Sequence, residues 1–469
     1  MLIICSMSIL LVSLDTTIVN IALPAIRSSL GASLSGLQWT IDGYTLVLAS
    51  LLMLSGSLGD RLGRRRVFQA GLALFTLGSL LCGLAPSLGW LIAFRVLQAV
   101  GGSMLSPVAM AIVVNTFSDP KQRARAIGVW GGVVGVSMAL GPILGGTLVE
   151  RVGWPSIFWV NVPIGVAALV LTRLFVPESR AAAARAADPA GQILVLVLLG
   201  TLTYAIIDAP RRGWLATGTL ALFGVAVAAA VTLGVVEPRR RAPLIDFRFF
   251  RSVPFTAATL TAVAAFATLG AFLFVNTLYL QSALGYSPVV AGLFTLPMAV
   301  TSAVFAPVSG RLVAARGARL PLVLAGIFTA SGAALLIDLA PDTSHARLFA
   351  AYTLIGMGFG LVNAPITNTA TSGMPRARAG VASATASTSR QVGVSLGVAI
   401  GGSLIAGASG AQFTADSHAV WAGMIGCGVV IVLLGVLSTG RTAARTAART
   451  SYLLEAEVTD AQQRTAAAA

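Results

Sequence analysis

The sequence predicts an all-α polytopic membrane protein, and three observations carry that prediction. Only 10% of the 469 residues are charged and 56% are hydrophobic, whereas a soluble globular chain carries roughly 25% charged residues. The mean hydropathy is +0.88 and there are 50 glycines, a residue common where membrane helices pack closely. Apolar stretches of about 20 residues, the length that crosses a bilayer, recur along the whole chain. The net charge of +15 does not make nucleic acid a partner, because the arginines stand singly or in short groups between apolar runs. Cys5, Cys82 and Cys427 fall inside apolar segments without ligand spacing, so they read as buried thiols rather than a disulfide framework or a metal site.

Fourteen candidate spans lie near 2–24, 38–58, 67–85, 88–114, 126–149, 157–177, 190–208, 214–236, 254–280, 289–309, 321–340, 347–371, 380–406 and 420–438. The first has the look of a signal-peptide core. No basic residue precedes it, however, and its apolar run continues past Asp15 to Ile21, as a spanning helix does. With the N-terminus in the cytoplasm, 24 of the 31 Lys and Arg fall in inside loops and the tail, among them Arg61 to Arg66, Lys121 to Arg125, Arg239 to Arg251, Arg311 to Arg319, Arg376 and Arg378. Five fall outside: Arg27, Arg151, Arg211, Arg212 and Arg347. That bias predicts an even number of spans in the plasma membrane, with both termini cytoplasmic.

An internal repeat organises these spans. "GSLGDRLGRR" at 56 realigns with "GRLVAARGAR" at 310, and "RARA" at 123 recurs at 376, offsets of 254 and 253 residues. Two matches at nearly one offset predict a duplicated six-helix bundle, an architecture known among transporters. The expected organisation is a first bundle over 1–180, two inserted helices and a linker over 181–252, a second bundle over 253–440, and a low-complexity tail over 441–469. The tail is basic at its start and is expected to rest near anionic lipid.

The loop at 56–68, "GSLGDRLGRRRVF", joins spans 2 and 3. Gly56, Gly59 and Gly63 permit a tight turn and close approach, and Asp60 can pair with Arg61, Arg64 or a neighbouring helix terminus. The same arginines could equally serve topology alone. The second copy replaces Asp60 with Ala314, which confines the acidic role to the first half.

This loop resembles the signature of the major facilitator superfamily. Other segments resemble motifs of its fourteen-helix drug:proton antiporters: "LDTTIVNIALPAI" at 14–26, "RVLQAVGG" at 95–102, "GVSMALGPILGG" at 135–146, "WPSIFWVNVPIG" at 154–165 and "GVASATASTSRQVGVSLGVAI" at 380–400. Ala99 and Pro155 depart from the family's usual glycine and arginine. The resemblance implies a major facilitator fold of two six-helix bundles plus two inserted helices, and a gating role for Gly56, Asp60, Arg61, Gly63 and Arg64. It also implies an antiporter motif of Gly135, Gly141, Pro142, Gly145 and Gly146 that lets the two faces open in turn.

Asp15, Asp42, Arg95 and Arg390 are the ionisable residues set well inside the spans. A charge at bilayer depth costs at least about 2.5–3.5 kcal/mol unless it is paired or hydrated, so each is a functional candidate. A rise of about 1.5 Å per residue puts Asp15 about 15 Å, and Asp42 and Arg95 about 8–10 Å, below the outer ends of their helices. The three are therefore expected to share one outer cavity and to couple to protons, with a fixed Asp15–Arg95 pair as the alternative and Asp42 near enough to the interface to be merely solvated. Gln98, Asn276, Asn363 and Arg390 are candidates for the substrate cavity, and Tyr44, Trp39, Trp130, Phe266 and Phe274 for its aromatic surface. Arg390 could instead brace the second bundle.

The function expected is proton-coupled export of a hydrophobic or amphiphilic small molecule by a monomer embedded in the bilayer. No phosphate-binding loop of the G-x-x-x-x-G-K-[ST] type is present, so the proton gradient is the expected energy source, with no cofactor and no metal. Uptake and a non-transporting sensor are alternatives on the same fold. An enzyme would need a clustered constellation that the only two histidines, His345 and His418, do not supply. Substrates are expected to be neutral or singly charged.

Overall fold

The computed structural model describes residues 1–117, 119–180, 188–240, 243–406 and 411–467, without the side chains of 120–121, 123–124, 127, 131, 376–377, 411–412 and 455–467. Lys121, Arg123, Arg241 and Arg376 of the expected basic loops, and the expected boundary at 181, lie outside the described residues.

Each expected span is a helix. The first bundle contains α1 (Leu2–Leu30), α2 (Leu34–Leu62), α3 (Arg64–Gly83), α4 (Leu88–Thr116), α5 (Pro120–Arg151) and α6 (Ser156–Phe175). Next come α7 (Pro189–Arg212) and α8 (Thr217–Val236). The second bundle contains α9 (Val253–Ala283, its last turn a π-helix), α10 (Pro288–Arg316), α11 (Arg319–Ala334), α12 (His345–Thr371), α13 (Arg376–Leu404) and α14 (Ala411–Leu437). Among the described residues, twelve of these helices are long and apolar enough to cross a membrane. The other two are α11, which is only 16 residues long, and α13, whose apolar residues are diluted by Ser, Thr, Gly and Arg390.

The duplication is visible in the packing. In the first bundle α1 packs on α5, α2 on α4, and α3 on α4 and α6; in the second α9 packs on α13, α10 on α12, and α11 on α12 and α14. The bundles meet through α2 against α13 and α5 against α10, which the same repeat relates. Even the backbone repeats: Gly31 and Gly285, and Gly63 and Gly317, all have positive φ, and both pairs are 254 residues apart. The inserted pair α7–α8 lies outside the seam, with α7 against α2 and α13.

The basic α2–α3 loop marks one end of the molecule. Ile4 and Cys5 cluster with Val67, Phe68 and Val176 near that loop, so the chain starts at this basic end. The tail is a fifteenth helix, α15 (Arg441–Ala467), not anticipated as one from its low-complexity sequence. Ala443, Ala447, Thr450 and Leu454 form its buried stripe. Thr446 accepts a hydrogen bond from the Val253 backbone N–H at 3.1 Å, which places α15 at the basic end too. In the nearby linker, burial works to raise the Asp246 carboxyl, but the hydrogen bonds and charge of Arg248 outweigh it and hold the group below its ordinary value.

Candidate functional site

The first bundle encloses a polar network without access to solvent. Arg95 on α4 donates to Asp15 on α1 at 2.5 Å, to Gln98 Oε1 at 2.6 Å and to the Thr40 carbonyl of α2 at 3.1 Å. Gln98 Nε2 donates to Asp15 at 2.8 Å and to Ser79 of α3 at 2.8 Å, and Asn161 of α6 donates to Asp15 at 3.4 Å. The guanidinium lies 4.2 Å from the Tyr44 ring centroid and 5.7 Å from that of Phe158. Both carboxylate oxygens of Asp15 are thus bonded, and Asp15 and Arg95 are 0% and 1% exposed. Charge-assisted hydrogen bonds of this kind are the strong ones, and removing one partner of a buried pair costs about 3–5 kcal/mol.

Two expectations change here. Gln98, expected in the substrate cavity, faces the interior of the first bundle, because its amide is the group that can bond Asp15, Arg95 and Ser79 at once. Tyr44 and Phe274, expected as drug-facing aromatics, are fully buried. Ser79 and Asn161 complete the network and were missed; the only signal for Asn161 was its place in "FWVNVPIG".

Asp42 does not join this network, so the expected shared cavity of Asp15, Asp42 and Arg95 does not form. Nor is Asp42 solvated, being 0% exposed. It turns to the other face of α2, into the seam with α13. Thr45 donates to one of its oxygens at 3.2 Å, Ser395 of α13 approaches from the opposite bundle, and the second oxygen has no partner. No described cation forms an ion pair with it.

The seam is tight at the end opposite the basic loop. There Gln38 donates to the Val398 and Ala399 carbonyls of α13 at 3.2 and 2.9 Å. Gln281 of α9 donates to the Ile21 carbonyl at 2.9 Å, and the Val289 backbone N–H donates to Glu150 at 3.3 Å. The glycines of α5 read out the separation along the seam. A methyl group on Gly146 would strike the Pro288 backbone of α10, one on Gly135 would stand 3.6 Å from Ala303, and one on Gly132 or Gly128 would meet nothing within 4 Å. The bundles are sealed at one end and part toward the basic end. Gly141 and Gly145 serve another contact, against Thr17 and Ile18 of α1, while the Pro142 carbonyl faces Gly292 of α10. The expected antiporter motif therefore sits at both packing surfaces of α5.

The α2–α3 loop is clasped within its own bundle. Arg64 donates to Asp60 at 2.9 Å, the Arg65 backbone N–H donates to Glu178 at 3.1 Å, and Arg66 approaches Glu178 at 3.7 Å. Gly63 has φ +112°, and a side chain there would strike the Glu178 carboxylate. Gly56 lies against Pro107 of α4, whereas Arg61 is exposed. Glu178 was not anticipated, since it lies 113 residues from the loop it holds.

In the second bundle, Asn276 is 1% exposed and accepts a hydrogen bond from Tyr352 at 2.5 Å. It faces the bundle core and not the gap, against expectation, because that phenol is its partner. Asn363 and Arg390 are half-buried, and Arg390 donates to Thr367 at 2.6 Å and to the Asn363 carbonyl at 3.5 Å.

Residues 5–398 match the model of the Major Facilitator Superfamily. The chain belongs to the Major Facilitator Superfamily. This facilitator is 37% identical to the multidrug resistance protein Stp of Mycobacterium tuberculosis, over 85% of its own length and 74% of that protein's. It is 39% identical to the tetracenomycin C resistance and export protein of Streptomyces glaucescens, over 87% and 76% of the two chains. Among solved structures, it superposes on a bacterial homologue of the human lysosomal transporter Spinster with a TM-score of 0.64, 15% identity and coverage of 95% and 96%. That last likeness shows the fold alone.

Proposed function

We propose that this facilitator is a proton-coupled exporter of hydrophobic or amphiphilic small molecules, antibiotics among them. It would lie in the plasma membrane with its basic end and both termini in the cytoplasm. The names of its relatives, multidrug resistance and tetracenomycin C export, support the substrate class, and the concentration of Arg at one end supports the orientation. The energy source is the proton gradient, without a cofactor.

The observation that carries the coupling is the burial of Asp42 in the sealed part of the seam with only the Thr45 and Ser395 hydroxyls beside it and no described cation paired with it. A lone charge buried there costs several kcal/mol, so the seal forms most readily around a neutral carboxyl. When α2 parts from α13 on the outside, Asp42 meets water and takes up a proton, and the seal can close. Loss of that proton to the cytoplasm leaves a charge inside the seal and favours its reopening outward, now with substrate aboard. Asp15 and Arg95 act as a fixed brace between α1 and α4, since each already satisfies the other.

The test is substrate-driven proton release from acid-loaded inverted vesicles, with Asp42→Asn compared against the unmodified protein. Asp42→Asn is expected to fold normally and to lose release by at least about tenfold, the loss of a proton-transfer group being worth 10²–10⁴-fold where it acts directly. Undiminished release in Asp42→Asn would remove Asp42 from the coupling path. No release with any compound in the unmodified protein would remove the exporter.

A further inference from the structure

We propose that Arg390 is the subsite for an acidic group on the transported molecule, so that the substrates include aromatic organic anions carrying a carboxylate, phenolate or enolate. This reading rests on the exporter reading above and specifies its substrate class.

Arg390 stands half-way along α13, where the bilayer is thickest on either side. A guanidinium at that depth needs a partner, and the two deep arginines solve the problem differently. Arg95 is paired with Asp15. Among the described residues Arg390 has neutral partners alone: the Thr367 hydroxyl at 2.6 Å, the Ser387 hydroxyl at 3.3 Å and the Asn363 carbonyl at 3.5 Å. Its Nε is buried without an acceptor, and no described carboxylate forms an ion pair with it. The fork that suits a carboxylate is held in place and left without one.

The position is accessible from the basic end. Arg390 as a residue is only half-buried, and an arginine at this depth is held toward a polar gap rather than lipid. It lies eight residues, about 12 Å, toward the basic end from the Gln38–Val398 contact that closes the seam. Its partners Thr367 and Asn363 on α12 and Phe266 on α9 set it on the inner side of α13, within the second bundle. An aromatic wall stands beside it. The Phe266 ring centroid is 5.9 Å from the guanidinium, and Phe359 meets Phe266 edge-on at 5.2 Å. A cation, a fork of donors and an aromatic edge together fit a flat aromatic acid.

The test measures binding of two fluorescent isosteres, 9-anthracenecarboxylate and 9-anthracenecarboxamide, to the purified full-length protein in nanodiscs. The carboxylate is expected to bind about tenfold or more tightly than the amide, as a charge-assisted bond allows. Arg390→Gln should bring the two within about twofold by weakening the carboxylate alone, while Arg390→Lys should keep most of the preference. Thr367→Val, which frees the guanidinium from its shortest bond, should weaken the carboxylate several-fold and spare the amide; it serves where Arg390→Gln does not fold. Equal affinities in the unmodified protein, or a preference that survives Arg390→Gln, would overturn the proposal. A carboxylate preference without substrate-driven proton release would leave the subsite standing and remove the exporter. Release without a charge preference would do the reverse.

Discussion

Asp15 and Asp42 are both wholly buried carboxyls on neighbouring helices of one bundle, yet their surroundings are opposite. Asp15 has an arginine and two amides from α4 and α6, none of which moves relative to it unless the bundle itself comes apart. Asp42 has one threonine from its own helix and a serine from the other bundle. A buried acid with every oxygen bonded inside a rigid unit is a brace. One with no cation, at a surface that separates, is placed to change its protonation as that surface opens and closes. Burial and residue type are the same; what differs is which helices hold the partners.

Arg95→Leu strands Asp15 without its cation, and stability is expected to fall by about 3–5 kcal/mol, read by denaturant unfolding in detergent. Asp42→Asn, by contrast, should stay within about 1 kcal/mol of the unmodified protein. Equal losses would show both acids to be structural.

The seal around Asp42 is probed at Gly146, where a methyl group meets the Pro288 backbone. Gly146→Ala is expected to raise the free energy of the sealed state by about 1–3 kcal/mol, roughly a five- to hundredfold shift toward opening. Labelling of Gln281→Cys by a membrane-impermeant maleimide on intact cells should accelerate accordingly. Unchanged labelling would mean that this end does not open by parting α5 from α10. The smallest effect is expected at the clasp of the α2–α3 loop. Glu178→Gln removes a half-exposed charge and should cost no more than about 1 kcal/mol, with faster amide exchange confined to residues 60–66.

Much of the fold was legible because the bilayer imposes it. Apolar length gave all fourteen spans, and glycine and arginine spacing gave the repeat that reappears as matching positive-φ glycines and matching helix pairs. α15 escaped that reasoning. Its stripe is built from Ala443, Ala447, Thr450 and Leu454, residues too small to raise the hydropathy of an Arg-rich segment. The Asp15–Arg95 pair was legible as an alternative, since two buried opposite charges on one bundle had few other places to go. The role of Gln98 was not. A polar stripe on α4 looks the same whether it faces a cavity or a neighbouring helix, and here it faces α1 and α3.

From the sequence alone it follows that the chain is an α-helical membrane protein with fourteen apolar spans, that its halves are copies, and which charges lie deep. Those properties follow from composition and spacing along one dimension, where the cost of exposing backbone and charge to lipid leaves few solutions. The tertiary structure alone shows that Asp42 turns away from Arg95, that no described acid pairs with Arg390, and that the seam is closed at one end. α2 and α13 are lined with apolar and small residues on several faces, so no periodicity marks the side that meets the other bundle. That choice is made by contacts between residues some 360 positions apart, and it is there that a brace and a proton site become different things.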